Sequence, residues 1–268
     1  FSHFGGTAFN NIGRPYHIES TGEESVYELH ALDMPWVPGG AFFGSDVALV
    51  GDVDGDGFED AFVTAALSSH PDVGIRSGEL WFYRGDANGL SLEGQRVPPF
   101  EGHSPWDHLR GVERIGDFNG DGHGDFAVLI SHDEMPQEVP ETFAYPVPCV
   151  EQLNDQGGTY IFLGGPGIFD FEPDFVYWGR GLGDAPEVLV GEKDFNGDGR
   201  ADIAIGSFRR DNNGLNDLGS VSIVAGRVDD YPGQITVICE PTYEHLGGSE
   251  SDHLGYSLAF MNDINNDG

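Results

Sequence analysis

The stretch GDFNGDGHGDF, residues 116–126, sets Asp117, Asn119, Asp121 and Asp125 around a glycine at Gly122. Three carboxylates and an amide this close together repel one another unless something positive sits among them. The pattern recurs as GDVDGDGFED from Gly51 and as KDFNGDGRAD from Lys193, and NDINNDG at residues 262–268 begins a fourth copy. The leading aspartates Asp52, Asp117, Asp194 and Asp263 are separated by 65, 77 and 69 residues. Recurrence of one unit at a similar long spacing marks a repeat architecture.

A second motif keeps step with the first. Each complete loop is followed by an alternating apolar run: DAFVTAA from Asp60, DFAVLIS from Asp125 and DIAIGSF from Asp202. Then comes a run led and closed by glycine: GELWFYRG from Gly78, GGTYIFLGG from Gly157 and GSVSIVAG from Gly219. Alternation with β-branched and aromatic residues reads as strands, and no long stretch carries a helical period. Repeat two holds an insertion of about 15 residues within residues 131–156, rich in Pro and acids. It is expected to form a surface loop on one rim.

Composition agrees. Apolar residues at 38% and aromatics at 12% supply a core, which an acidic tail would lack. The 41 glycines and 16 prolines imply many turns between short strands. A formal charge of −34 repels nucleic acid and anionic lipid and favours cations or basic partners. No run of about 18 apolar residues predicts a membrane span. The chain starts at Phe1 without a signal-peptide pattern and reads as a processed product or a fragment. Cys149 and Cys239 are too far apart for a zinc or redox motif, and the sequence leaves their pairing open.

The loops fit D-x-[DN]-x-D-G-x-x-D, with alternate oxygens turned toward one centre about a sharp glycine bend. Calcium (Ca2+) takes six to eight such oxygens. Loop one offers Asp52, Asp54, Asp56 and Asp60 with the Phe58 carbonyl. Loop two offers Asp117, Asn119, Asp121 and Asp125 with the His123 carbonyl. Loop three offers Asp194, Asn196, Asp198 and Asp202 with the Arg200 carbonyl. Asp263, Asn265 and Asp267 supply part of a fourth. An EF-hand is excluded, because position twelve is Val63, Val128 or Ile205 rather than Glu. Magnesium prefers fewer protein carboxylates, and zinc would want Cys or His at the ligand positions. The expectation is three complete calcium sites and a fourth that is incomplete.

These residues resemble the FG-GAP repeats of integrin α subunits and of many bacterial extracellular proteins. Phe43–Asp60 followed by Ser77–Gly85 carries the likeness, with Phe43-Gly44 as the FG element. The GAP-like ends are Tyr83-Arg84-Gly85, Leu163-Gly164-Gly165 and Val224-Ala225-Gly226. The FG element drifts to Leu109-Arg110-Gly111 in repeat two and to Leu254-Gly255-Tyr256-Ser257 in repeat four. In repeat three, residues 181–199 match only loosely. The resemblance covers nearly residues 36–268. It implies an all-β fold, a β-propeller or partial propeller of four-stranded blades with calcium loops between neighbouring strands. The expected division is 36–100, 101–178, 179–240 and an incomplete 241–268, with residues 1–35 finishing a blade. Four repeats cannot close the family's seven-bladed ring. The chain is therefore expected to continue beyond Gly268, or to meet the segment Phe4–Ile12 of another copy.

Catalytic readings are thin. Asp107-His108-Leu109 and Asp252-His253-Leu254 recur in phase, which favours a structural turn or inter-blade hydrogen bond over chemistry. No G-x-S-x-G, H-E-x-x-H or phosphate-binding glycine loop is present. Arg84-Gly85-Asp86, the tripeptide integrins recognise, reads as a chance match. The expected function is an extracellular, calcium-stabilised binding or adhesion module for a protein or glycan ligand, not an enzyme. The alternatives are a structural protein self-associating through open sheet edges and an accessory domain of a secreted polysaccharide-acting enzyme.

Overall fold

The computed structural model describes residues 16–20, 27–31, 42–69, 72, 74, 76–98, 108–131, 143–144, 156–166, 170–180, 184–229 and 232–261. Every regular element among them is a strand. Tyr16–Ser20 (β1) and Tyr27–Ala31 (β2) pair with each other as an antiparallel two-stranded sheet, joined to no blade among the described residues.

Three blades follow. In the first, Phe43–Gly51 (β3), Asp60–Ala65 (β4) and Glu79–Tyr83 (β5) run antiparallel. A small hairpin of Gly85–Asp86 (β6) and Gly89–Leu90 (β7) comes next, and Gln95–Arg96 (β8) returns beside β5 as the outer strand. The second blade holds Leu109–Gly116 (β9) and Asp125–Ile130 (β10). After the short strand Phe143–Ala144 (β11), it is completed by Gly158–Phe162 (β12) and Phe175–Trp178 (β13). The third holds Val188–Lys193 (β14), Asp202–Ser207 (β15) and Ser220–Val224 (β16). The chain then leaves through Ile235–Val237 (β17) and comes back as the outer strand Tyr243–Leu246 (β18). The third blade thus draws its last strand from beyond residue 240, within the stretch that the sequence division gives to a fourth repeat.

Period-two alternation explains why these sheets stack. In β4, Phe62 faces blade two while Ala61, Val63 and Ala65 turn the other way. In β10, Phe126, Val128 and Ile130 face blade one, and Ala127 and Leu129 face blade three. Blade two is covered on both sides, so β10, β12 and β13 are buried throughout, and Phe126–Ile130, Tyr160–Phe162 and Phe175–Trp178 are apolar without a polar residue between. The rings of Phe62, Phe126 and Phe162 form a continuous stack, with centroids 4.4 and 4.8 Å apart.

The blades join by a repeated backbone contact. His108 N–H donates to the Arg76 carbonyl at 3.3 Å, and Leu109 N–H to that of Ser77 at 3.4 Å. Two joints further on, past the last strand of blade three, His253 N–H donates to Asp217 at 3.1 Å and Leu254 N–H to Leu218 at 3.0 Å. Both histidines sit at positive φ, 53° and 51°. The recurring His-Leu pair is thus the hinge where one blade passes to the next.

A second tie was not readable from the sequence. β17 leaves blade three and pairs in parallel with β13, the outer strand of blade two, and β11 pairs in parallel with β17. Part of the expected rim insertion therefore extends a sheet edge, which removes a template for unwanted pairing. Cys239, just past β17, is disulfide-bonded. The sequence has one other cysteine, Cys149, which lies outside the described residues.

Asp174 stands at this tie. Its carboxylate accepts the Leu163 N–H at 2.8 Å and its carbonyl accepts the Thr236 N–H at 2.8 Å. Burial pushes its pKa up to about 7, against the Leu163 bond and with help from Asp170 and Asp229. The folded value lies above the unfolded one. Its contribution is therefore complete below about pH 4 and is lost as pH rises through about 7. Asp174→Asn should exceed wild type in stability by on the order of 1–2 kcal/mol at pH 8, and the difference should vanish near pH 4. Urea unfolding across that range checks this.

Candidate metal centre

All three acidic loops fall at the same turn, between the first and second strands of a blade: β3 to β4, β9 to β10 and β14 to β15. Each is built alike. The position-one carboxylate caps the turn. Asp52 accepts the N–H groups of Asp56 and Gly57 at 2.9 and 2.8 Å. Asp117 accepts those of Gly120, Asp121 and Gly122 at 2.7 to 3.0 Å. Asp194 accepts those of Gly197, Asp198 and Gly199 at 2.6 to 3.2 Å. The Gly199 bond does most to hold the Asp194 carboxyl below the ordinary range. Position three accepts the position-five N–H, and position five accepts the position-seven N–H, in every loop. Gly57, Gly122 and Gly199 take φ near +90°, which the bend requires.

In loop one, Asp52, Asp54 and Asp60 each offer an oxygen within 4.8 Å of the other two. Asn119 and Asn196 replace Asp54 in loops two and three, so those loops present an amide oxygen on the same scaffold. The donors at the expected ligand positions are oxygens throughout, as a hard divalent cation requires. Loop one can therefore hold a metal ion. Asp263, Asn265 and Asp267 lie outside the described residues.

The ninth-position aspartates do more than the loop pattern predicts. Asp60, Asp125 and Asp202 are buried. One oxygen of each accepts an N–H from its own loop: Val53 at 3.1 Å, Phe118 at 2.7 Å and Phe195 at 2.7 Å. The other accepts the N–H of a glycine at the end of the third strand: Gly85 at 2.7 Å, Gly164 at 2.8 Å and Gly226 at 2.8 Å. A Cβ on these glycines would meet the carbonyl of Glu59, Gly124 or Ala201 at 2.2 to 2.4 Å. The glycine that closes each third strand is therefore set by its close approach to the acidic loop. The signal was in the sequence, in the pairing of each loop with a glycine-ended strand, but not its cause. Burial pushes the pKa of Asp60 up to about 6 and of Asp125 up to about 8, despite the two N–H bonds that each accepts.

Arg84 also escaped sequence reasoning. Its guanidinium pairs with Asp54, and its Nε lies 3.2 Å from Asp56. Within Arg84-Gly85-Asp86, Arg84 and Gly85 are thus part of the loop-one scaffold, with Gly85 bonded to Asp60, while Asp86 turns into the β6–β7 hairpin. In loop three, Arg200 pairs with Asp198 at 2.8 Å and reaches the Gly226 carbonyl at 3.0 Å.

Where the first strands of the three blades meet, a cavity of about 540 Å³ opens, bounded by Asp46, Arg110, Glu113 and Glu187. Arg110 pairs with Glu187 at 3.1 Å. Asp46 accepts the Val112 N–H at 3.0 Å, and burial raises its pKa.

Four-stranded antiparallel sheets, stacked face to face with an acidic turn at one fixed corner, define a protein of propeller-type blades. The FG-GAP repeat family model matches residues 186–224, the span that includes β14, loop three, β15 and β16. The chain carries an FG-GAP repeat there, and blades one and two reproduce its strand–loop–strand–strand order. The match falls on the repeat whose FG element is least recognisable. No curated protein matches the sequence. Among the described residues, no helix is long and apolar enough to cross a membrane.

Proposed function

We propose that this chain is an extracellular binding or adhesion module, without catalysis of its own, whose blades are stabilised by calcium at the three acidic loops. The observation that carries the reading is one nine-residue oxygen-rich turn placed identically in three successive blades, with three carboxylates within 4.8 Å in loop one. FG-GAP repeats typically bind calcium and occur in extracellular proteins, which supports the assignment. The disulfide at Cys239 supports an oxidising compartment. In the proposed sites, the side chains of positions one, three, five and nine and the position-seven carbonyl hold the ion. Calcium would supply the positive charge that lets these carboxylates share one turn. The partner is a protein or a glycan.

Asp121→Ala tests the reading one loop at a time. Asp121 is exposed, and among the described residues its carboxylate accepts the His123 N–H and the Asn119 amide. Its loss should leave the fold intact and remove one ion from the calorimetric count. An unchanged count would reduce loop two to a plain turn.

A further inference from the structure

We infer that Arg84 is a tethered counter-ion that competes with calcium for loop one, an inference that rests on the calcium reading above. The backbone places it there. Gly85, the next residue, donates its N–H to Asp60 at 2.7 Å, which holds Arg84 against the loop. Its guanidinium then takes the Asp54 Oδ2, while Asp54 Oδ1 already accepts the Asp56 N–H at 3.1 Å. Asp56 is engaged in the same way, with one oxygen on the Phe58 N–H at 3.0 Å and the other near Arg84 Nε at 3.2 Å. Positions three and five of loop one are thus committed to an internal cation.

The other blades carry no arginine at this place: the loop-three arginine, Arg200, comes from within its own loop and pairs with Asp198 at position five, not with position three. The residues before the equivalent glycines are Leu163 and Ala225. Loop one is also the loop that keeps a carboxylate at position three, Asp54, where the others have Asn119 and Asn196. Arg84 offsets that additional carboxylate, so the ligand side chains of loop one with the arginine carry the same net charge as those of loop two. Without calcium, the arginine relieves repulsion among four carboxylates. With calcium, it has to leave, and its half-exposed side chain has solvent to enter. A ligand that binds only the released state has its apparent affinity cut by the fraction released. Loop one therefore fills at higher calcium than it would alone.

The experiment is calorimetric titration of the calcium-stripped full chain with Ca2+, comparing wild type, Arg84→Leu and Asp52→Ala. Arg84→Leu copies the blade-two residue. It should raise the affinity of one binding event by about fivefold, the upper end of the range for an ion pair with an exposed partner, and leave the ion count unchanged. Asp52→Ala should delete that same event. Equal affinities in wild type and Arg84→Leu, with calcium bound in both, would overturn the competition while leaving the calcium reading intact. Absence of binding in every variant would overturn both. Should Arg84→Leu fail to fold, the arginine side-chain NMR signals of wild type decide. The Arg84 Nε resonance should shift as calcium fills loop one, and an Nε unmoved at saturation would contradict displacement.

Discussion

In millimolar calcium the chain should unfold at a markedly higher temperature than in excess chelator. A ligand that binds only the folded state stabilises it by about 2.7 kcal/mol at a hundredfold excess over its dissociation constant. For a chain of this size, that is roughly 5–10 °C for each filled loop. The effect is large because each loop joins the first two strands of a blade, and its ninth-position aspartate reaches the third. An ion in the loop therefore braces three strands. Identical melting curves with and without calcium would remove the stabilising role.

Asp125→Ala should cost about 2–5 kcal/mol in chelator and more in calcium, where an ion ligand is lost as well; the loss in chelator sets it apart from Asp121→Ala. The carboxylate of Asp125 is buried and accepts N–H groups from Phe118 and Gly164. Removing it leaves two buried donors unpaired, at about 1–3 kcal/mol each. The structure cannot close around the gap, because Gly164 already lies against the Gly124 carbonyl. The cost of keeping this carboxylate charged in a buried place, visible in its raised pKa, offsets part of the loss. Urea unfolding in both buffers measures it. A loss seen only in calcium would mean that Asp125 acts solely through the ion.

What the sequence disclosed follows from how local each signal is. The acidic loops were legible because all their groups lie within nine residues and the glycine bend fixes their shape. The strands after them were legible because short runs rich in β-branched and aromatic residues, Asp60–Ala65 and Asp125–Ile130, follow each loop directly. The Asp125–Gly164 bond spans 39 residues; the recurring glycine-ended strand marked Gly164, but no local pattern names Asp125 as its partner. The same holds for Arg84, which reads as part of a chance tripeptide until the fold sets it beside Asp54. β17 was invisible for another reason. Three residues with a parallel partner far back in the chain carry too little pattern to separate from loop. The third blade's outer strand, Tyr243–Leu246, lies past that excursion, which is why the repeat boundary near residue 240 falls short of it.

The central claim is that a divalent cation belongs in these loops, and equilibrium dialysis of the chelator-stripped chain against radiolabelled calcium tests it most directly. Binding should be saturable and should fall by one ion with Asp121→Ala and by one more when Asp52→Ala is added. Protein-side calcium no higher than in the buffer, at millimolar calcium and neutral pH, would contradict it.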